Sequence, residues 1–105
     1  MNKKVYWASI EYIYTPKSSE FNKFKGGFVY AFVNEYNLKR ALDKMKKELY
    51  IIQIEPIKIE FIKPYDIDAK WKTSEETDIY INLFNESRKS NQVFFDTFYA
   101  YEIER

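Results

Sequence analysis

Carboxylates are the side chains whose type and spacing come nearest to unaided chemistry in this chain. Asp66 and Asp68, in the stretch Tyr65-Asp66-Ile67-Asp68, could place two oxygens near one divalent cation. A hard cation wants six or more oxygen ligands, and the sequence supplies no identifiable third residue, so no metal site is expected. Asp96 is set among Phe94, Phe95 and Phe98. A carboxylate in an aromatic strand must pair, protonate or face solvent, and an edge position or a lysine partner is the expectation. The chain has no Cys and no His, which removes thiolate nucleophiles, disulfides, imidazole bases and the usual zinc ligands together. What remains reads as a non-enzymatic protein that needs no cofactor.

Aromatic side chains are the second kind of chemistry on offer. The stretch Lys25 to Val33, "KGGFVYAFV", invites comparison with the RNA-binding signature K/R-G-F/Y-G/A-F-V-x-F/Y, whose rings stack on bases. In the best alignment Gly27, Phe28 and Val29 agree. Phe24, Lys25, Gly26 and Ala31, however, stand where the basic residue, the first Gly, the first aromatic and the last aromatic belong. The stretch also precedes the first expected helix, whereas the signature sits on a later, central strand. Packing is therefore the expected role of Phe28, Tyr30 and Phe32, with Gly26-Gly27 as a turn into the strand.

Composition sets the frame for both. At 105 residues the chain makes one domain, residues 1–105, with a single core. Ten Tyr, nine Phe and two Trp against only two Gly and three Pro exclude a disordered chain. Seventeen basic and sixteen acidic residues leave a net charge of +1, so only local charge patterning can point to a partner. The first residues lead into strand-like alternation rather than an apolar signal core, and no run approaches a membrane span. A cytoplasmic protein with no membrane partner is the default expectation.

The elements that must position these residues follow from periodicity. Val5 to Tyr14 alternates as a strand, and a polar connection over 15 to 25 leads to a second strand, Phe28 to Glu35. Asn37 caps a helix from Leu38 to Leu49, with Leu38, Ala41, Leu42, Met45 and Leu49 on one stripe and a basic outer face. Tyr50 to Ile62 reads as one strand with a bulge or bend at Pro56. Thr73 and Glu76 form a capping box before a second helix, which ends near Arg88 with Tyr80, Leu83, Phe84 and Ser87 inward. Gln92 to Glu102 is a final strand. The expected fold is an α+β two-layer sandwich, its sheet mixed but mostly antiparallel, with both helices on one face, in the β-β-α-β-α-β order related to ferredoxin-like folds.

That architecture leaves a puzzle. Helices on one face expose the other, yet the strands are apolar on both, and such strands need cover on both. The 15 to 25 loop, with Phe21 and Phe24, is one possible cover; otherwise the second face is a protein interface. The leading expectation is a small protein-binding module, a toxin-neutralising immunity protein or other inhibitor, that meets another protein or a second copy of itself. Trp7, Phe28, Tyr30, Phe94 and Phe98 are its candidate anchors, assisted by Lys39, Lys46 and Lys47 on the first helix. A nucleic-acid-binding domain using Lys39, Arg40, Lys46 and Lys47 is the alternative, with scarce arginines counting against it. A third reading is a dimeric α+β barrel that holds a small ligand against Asn34 and Tyr99.

Overall fold

The computed structural model describes residues 2–66, 74–96 and 98–102. Strands β1 (Lys4–Tyr14) and β2 (Phe24–Glu35) form an antiparallel hairpin, in register from Lys4 opposite Glu35 to Ile13 opposite Gly26. Strand β3 (Ile54–Pro64) pairs antiparallel with the other side of β1, while β4 (Phe94–Phe95) and β5 (Tyr99–Glu102) share the free side of β2. The order is β3-β1-β2-β4, with β5 beside β4 along β2. Helices α1 (Leu38–Ile51) and α2 (Ser74–Arg88) complete the α+β sandwich.

Every strand pair among the described residues is antiparallel, which corrects the expected mixed sheet. The crossover through α1 does join strands of the same direction, but β1 lies between them. Segment β2-α1-β3 is thus a split βαβ unit, the feature shared with ferredoxin-like sheets. Gly26 and Gly27 also lie within β2 rather than in a turn, opposite Ile13 and Tyr12. The hairpin loop is built instead from successive tight turns in which Ser18 N donates to Thr15 O and Phe21 N to Ser18 O.

The placement of the helices resolves the puzzle of the second face. One core joins Tyr6, Ala8, Ile10 and Tyr12 of β1 and Val29, Ala31 and Val33 of β2 to Ala41, Met45 and Leu49 of α1. The alternate residues Val5, Trp7 and Phe32 form another core with Tyr65 and with Tyr80, Leu83 and Phe84 of α2. Successive strand residues point to opposite faces, so the helices cover opposite faces rather than one. The physical reason is the two-sided apolar character of β1 and β2, which one helical layer could not have buried.

Local signals place most boundaries. The Asn37 side chain accepts from Arg40 N at 2.9 Å, as a cap should. Leu38 is exposed instead of joining the stripe, because the chain from Tyr36 to Arg40 stands clear of the sheet. Helix α1 runs two residues beyond Leu49, to Ile51, and is stopped after its Ile52 cap by Gln53, whose φ of 64° is left-handed. Two bonds from Thr15, N to Gln53 O at 3.1 Å and Oγ1 to Gln53 Oε1 at 3.2 Å, tie this turn to the end of β1. Strand β3 is a single strand, and its register with β1 shifts at Ile57, next to Pro56, and again at Glu60. Bulges, Pro56 and Lys58 on this edge discourage pairing with a further strand.

The last strand is broken. From Phe28 to Ala31 is three steps along β2, but their partners Tyr99 and Phe95 are four apart. The surplus residue reverses the alternation. Phe94 joins the α2 core, whereas Phe95 and Phe98 both join the α1 core. Phe94 and Phe98 were expected on one face, and the bulge separates them.

Candidate interaction surfaces

The five aromatic residues singled out as anchors are all buried or half-buried. Trp7 is 8% exposed, at the centre of a ring cluster with centroids 4.7 Å away for Phe61, 5.5 Å for both Tyr30 and Tyr65, and 5.9 Å for Phe32. Tyr30 and Phe94 pack against the same cluster. Phe28 is half-buried beside a cavity of about 200 Å³ that it lines with Ser9, Val29 and Tyr30. Phe98 packs on the opposite face, 5.7 Å from Tyr12 and 5.5 Å from Phe95. The aromatic surplus serves two cores, and no open stacking platform exists where α2 lies.

The basic face of α1 survives in part. Lys39 and Lys47 are exposed and Lys46 is half-exposed. Lys44, which the pattern assigns to the same outer face, instead reaches Glu35 at the end of β2, Nζ to Oε2 at 2.9 Å. Glu35 also accepts from Tyr36 N at 2.9 Å and is 4% exposed. The Lys44 hydrogen bond first, then the Tyr36 amide, hold the Glu35 carboxyl below its ordinary range against the opposing effect of burial. A depressed carboxylate stabilises the fold above the unfolded-state pKa, and that stabilisation is lost as pH falls through the folded value. Lys44→Met is expected to cost about 1–2 kcal/mol near neutral pH, discounted for the partial exposure of Lys44. The difference from wild type should shrink as the medium becomes acid enough to protonate Glu35, which urea titrations at several pH values will show.

The exposed apolar surface lies elsewhere. Tyr50, Ile51, Ile52 and Ile57 are 52%, 60%, 47% and 51% exposed. The sequence pattern places all four in one strand; the strand begins only at Ile54, so Tyr50 and Ile51 form the last turn of α1. A β-branched run gave the wrong period, and the residue that stops the helix, Gln53, carries no glycine signal.

Asp66 is exposed, and Asp68 and Thr73 lie outside the described residues. Asp96 is half-buried, its amide donating to Tyr30 O at 2.9 Å, and it lines a shallow cavity with Ile79, Asn82, Leu83, Glu86 and Phe95. Among the described residues no cluster of three potential metal ligands occurs, and no helix is long and apolar enough to cross a membrane. No family model matches the chain, and neither a curated protein nor a solved structure is significantly similar to it.

Proposed function

We propose that the chain is a non-catalytic protein-binding module whose contact surface is the apolar ridge Tyr50, Ile51, Ile52 and Ile57, with Lys46 and Lys47 at its margin. The observation that carries this reading is four large apolar side chains, each about half exposed, within eight residues of chain. Exposed apolar groups gathered in one place mark contact sites far more than scattered ones do. The ridge is also held in place, since the Gln53 turn beneath it is pinned to Thr15 by two hydrogen bonds. A preorganised surface loses less entropy on binding. The reading moves the contact from the aromatic sheet face, which α2 occupies, to the junction of α1 and β3. An inhibitory role, such as neutralising a toxin, would act by covering a partner's surface.

Site-specific photo-crosslinking in the native host tests it, with the crosslinker at Ile51 and, as control, at Lys17 in the hairpin loop. A discrete adduct from position 51 alone, lost in the Ile57→Glu background, is the expected result; a dimer of the chain itself would count as such an adduct. Identical labelling at both positions, or none at 51, would sink the proposal. The double variant Ile51→Glu/Ile57→Glu should retain wild-type stability to within about 0.5 kcal/mol, because both positions already face water.

A further inference from the structure

Resting on the reading of the ridge as a contact surface, we infer that its partner is a second copy of this chain, docked head to tail so that the ridge of one copy enters the groove between α2 and β4 of the next. The groove has a volume of about 380 Å³ and is lined by Ile79, Asn82, Leu83, Glu86, Phe95 and Asp96. Ile79 is 48% exposed and Leu83 half-buried, so both still have apolar surface to lose to a neighbour.

The groove has an acidic rim. Asp96 donates its amide to Tyr30 O and stands two residues beyond Phe94 of the α2 core, so alternation puts its side chain on the α2 side of the sheet. It is half-buried, and neither ion pair among the described residues, Lys44 with Glu35 or Lys89 with Glu86, includes it. The pair of Glu86 with Lys89 spans 3.9 Å between exposed groups, which holds Glu86 only weakly. Glu75, exposed one helical turn before Ile79, extends the acidic border. Carboxylates around an apolar floor fit a cation carried beside an apolar side chain.

The ridge has that composition. Lys46 and Lys47 stand four and three residues before Tyr50 on α1, so both border its ring. Glu48 lies about 200° round the helix from Tyr50, on the flank that faces Asn91 and Gln92. Glu55 is paired with Ile13 and so faces the α2 side of the sheet, leaving Asp43, two turns back from Tyr50, as the acid of this face. Placement makes the contact directional. The ridge lies at the β3 edge on the α1 side of the sheet, and the groove at the β4 edge on the α2 side. One neighbour cannot engage both at once, so the contact is heterologous and adds copies into a ring or an open chain. A two-fold contact of ridge on ridge would instead set Lys46 and Lys47 against their own copies, which like charge opposes.

Sedimentation velocity of the full chain over a concentration series at low salt tests this, with a ridge variant, Tyr50→Glu/Ile51→Glu, and a groove variant, Ile79→Lys/Glu86→Lys. All four positions are exposed, and circular dichroism checks the fold; Glu86→Lys alone serves the groove arm if the double variant does not fold. The wild type should gain mass with concentration, and each variant alone should associate at least about tenfold more weakly. An equimolar mixture of the two should recover association but stop at a dimer, because one copy keeps its groove and the other its ridge. A wild type that stays monomeric to about 1 mM, variants that associate as the wild type does, or a mixture that stays monomeric would overturn the inference. So would association lost in the ridge variant and unchanged in the groove variant, since ridge would then meet ridge. A monomeric wild type whose position 51 crosslinks to a different protein would sink this inference and leave the ridge standing as a contact surface, whereas no adduct at position 51 removes the ridge itself.

Discussion

Trp7→Ala is expected to lower the unfolding free energy by about 3–5 kcal/mol, the usual cost of removing a large buried aromatic. Five rings lie within 6.5 Å of the Trp7 ring by centroid distance, and Lys63 Nζ sits 5.9 Å from it, over the solvent side of the cluster. The indole is therefore the piece that joins β1, β2, β3 and α2 on one face, and nothing nearby can refill its volume without shifting a strand. For a domain of this length the loss corresponds to a fall in Tm of roughly 15–30 °C. The measurement is urea unfolding followed by far-ultraviolet circular dichroism, with Trp7→Phe as the companion variant that keeps a ring in the cluster and should lose much less. An interface anchor behaves otherwise. Were Trp7 a docking residue, alanine there would leave stability within about 0.5 kcal/mol of wild type, as exposed substitutions do.

Much of this fold is legible in the residues, and the places where reading fails share a cause. Periodicity over many residues is robust: the two-sided apolar pattern of β1 and β2 and the Ala41, Met45, Leu49 stripe of α1 all reappear as packed surfaces. The Asn37 cap is legible because it acts within one helical turn. By contrast, a period of two carries no record of inserted residues, so one surplus residue between Phe95 and Tyr99 was enough to send Phe98 to the other face. Which helix covers which face is a long-range choice, written in no local pattern. The same holds for Lys44. On the helix it belongs to a basic stripe, and only the register of β2 against α1 brings Glu35 to within 2.9 Å of it. The aromatic surplus pointed correctly to a second packed surface, but composition alone cannot say whether the cover is the chain's own helix or a partner.

Gly26→Ala sets two effects of opposite sign against each other, and the geometry decides between them. Replacing glycine by alanine restricts the unfolded chain, which stabilises a protein by about 0.4–1 kcal/mol where the native backbone accepts a Cβ. Gly26 lies in extended backbone within β2, opposite Ile13, so conformation alone does not forbid the change. Space does. A Cβ built at Gly26 falls 2.1 Å from the carbonyl oxygen of Tyr12 and 3.1 Å from Ile13 Cα, both backbone atoms of the neighbouring strand. No side-chain rotamer can relieve contacts of that kind. The hairpin ladder must open locally, beside a Tyr12 side chain that is 1% exposed and packed on Tyr14 and Phe98. The clash is expected to win by a wide margin, for a net loss of about 3 kcal/mol, at the upper end of overpacking costs. Urea denaturation should show the midpoint falling with the slope unchanged, which identifies damage to the native state rather than a change in the unfolded one. Gly26→Ser should lose about as much, because it adds the same Cβ. A Gly26→Ala protein as stable as wild type, or more so, would mean that the strands stand further apart here than the 2.1 Å approach implies. The glycine would then be dispensable.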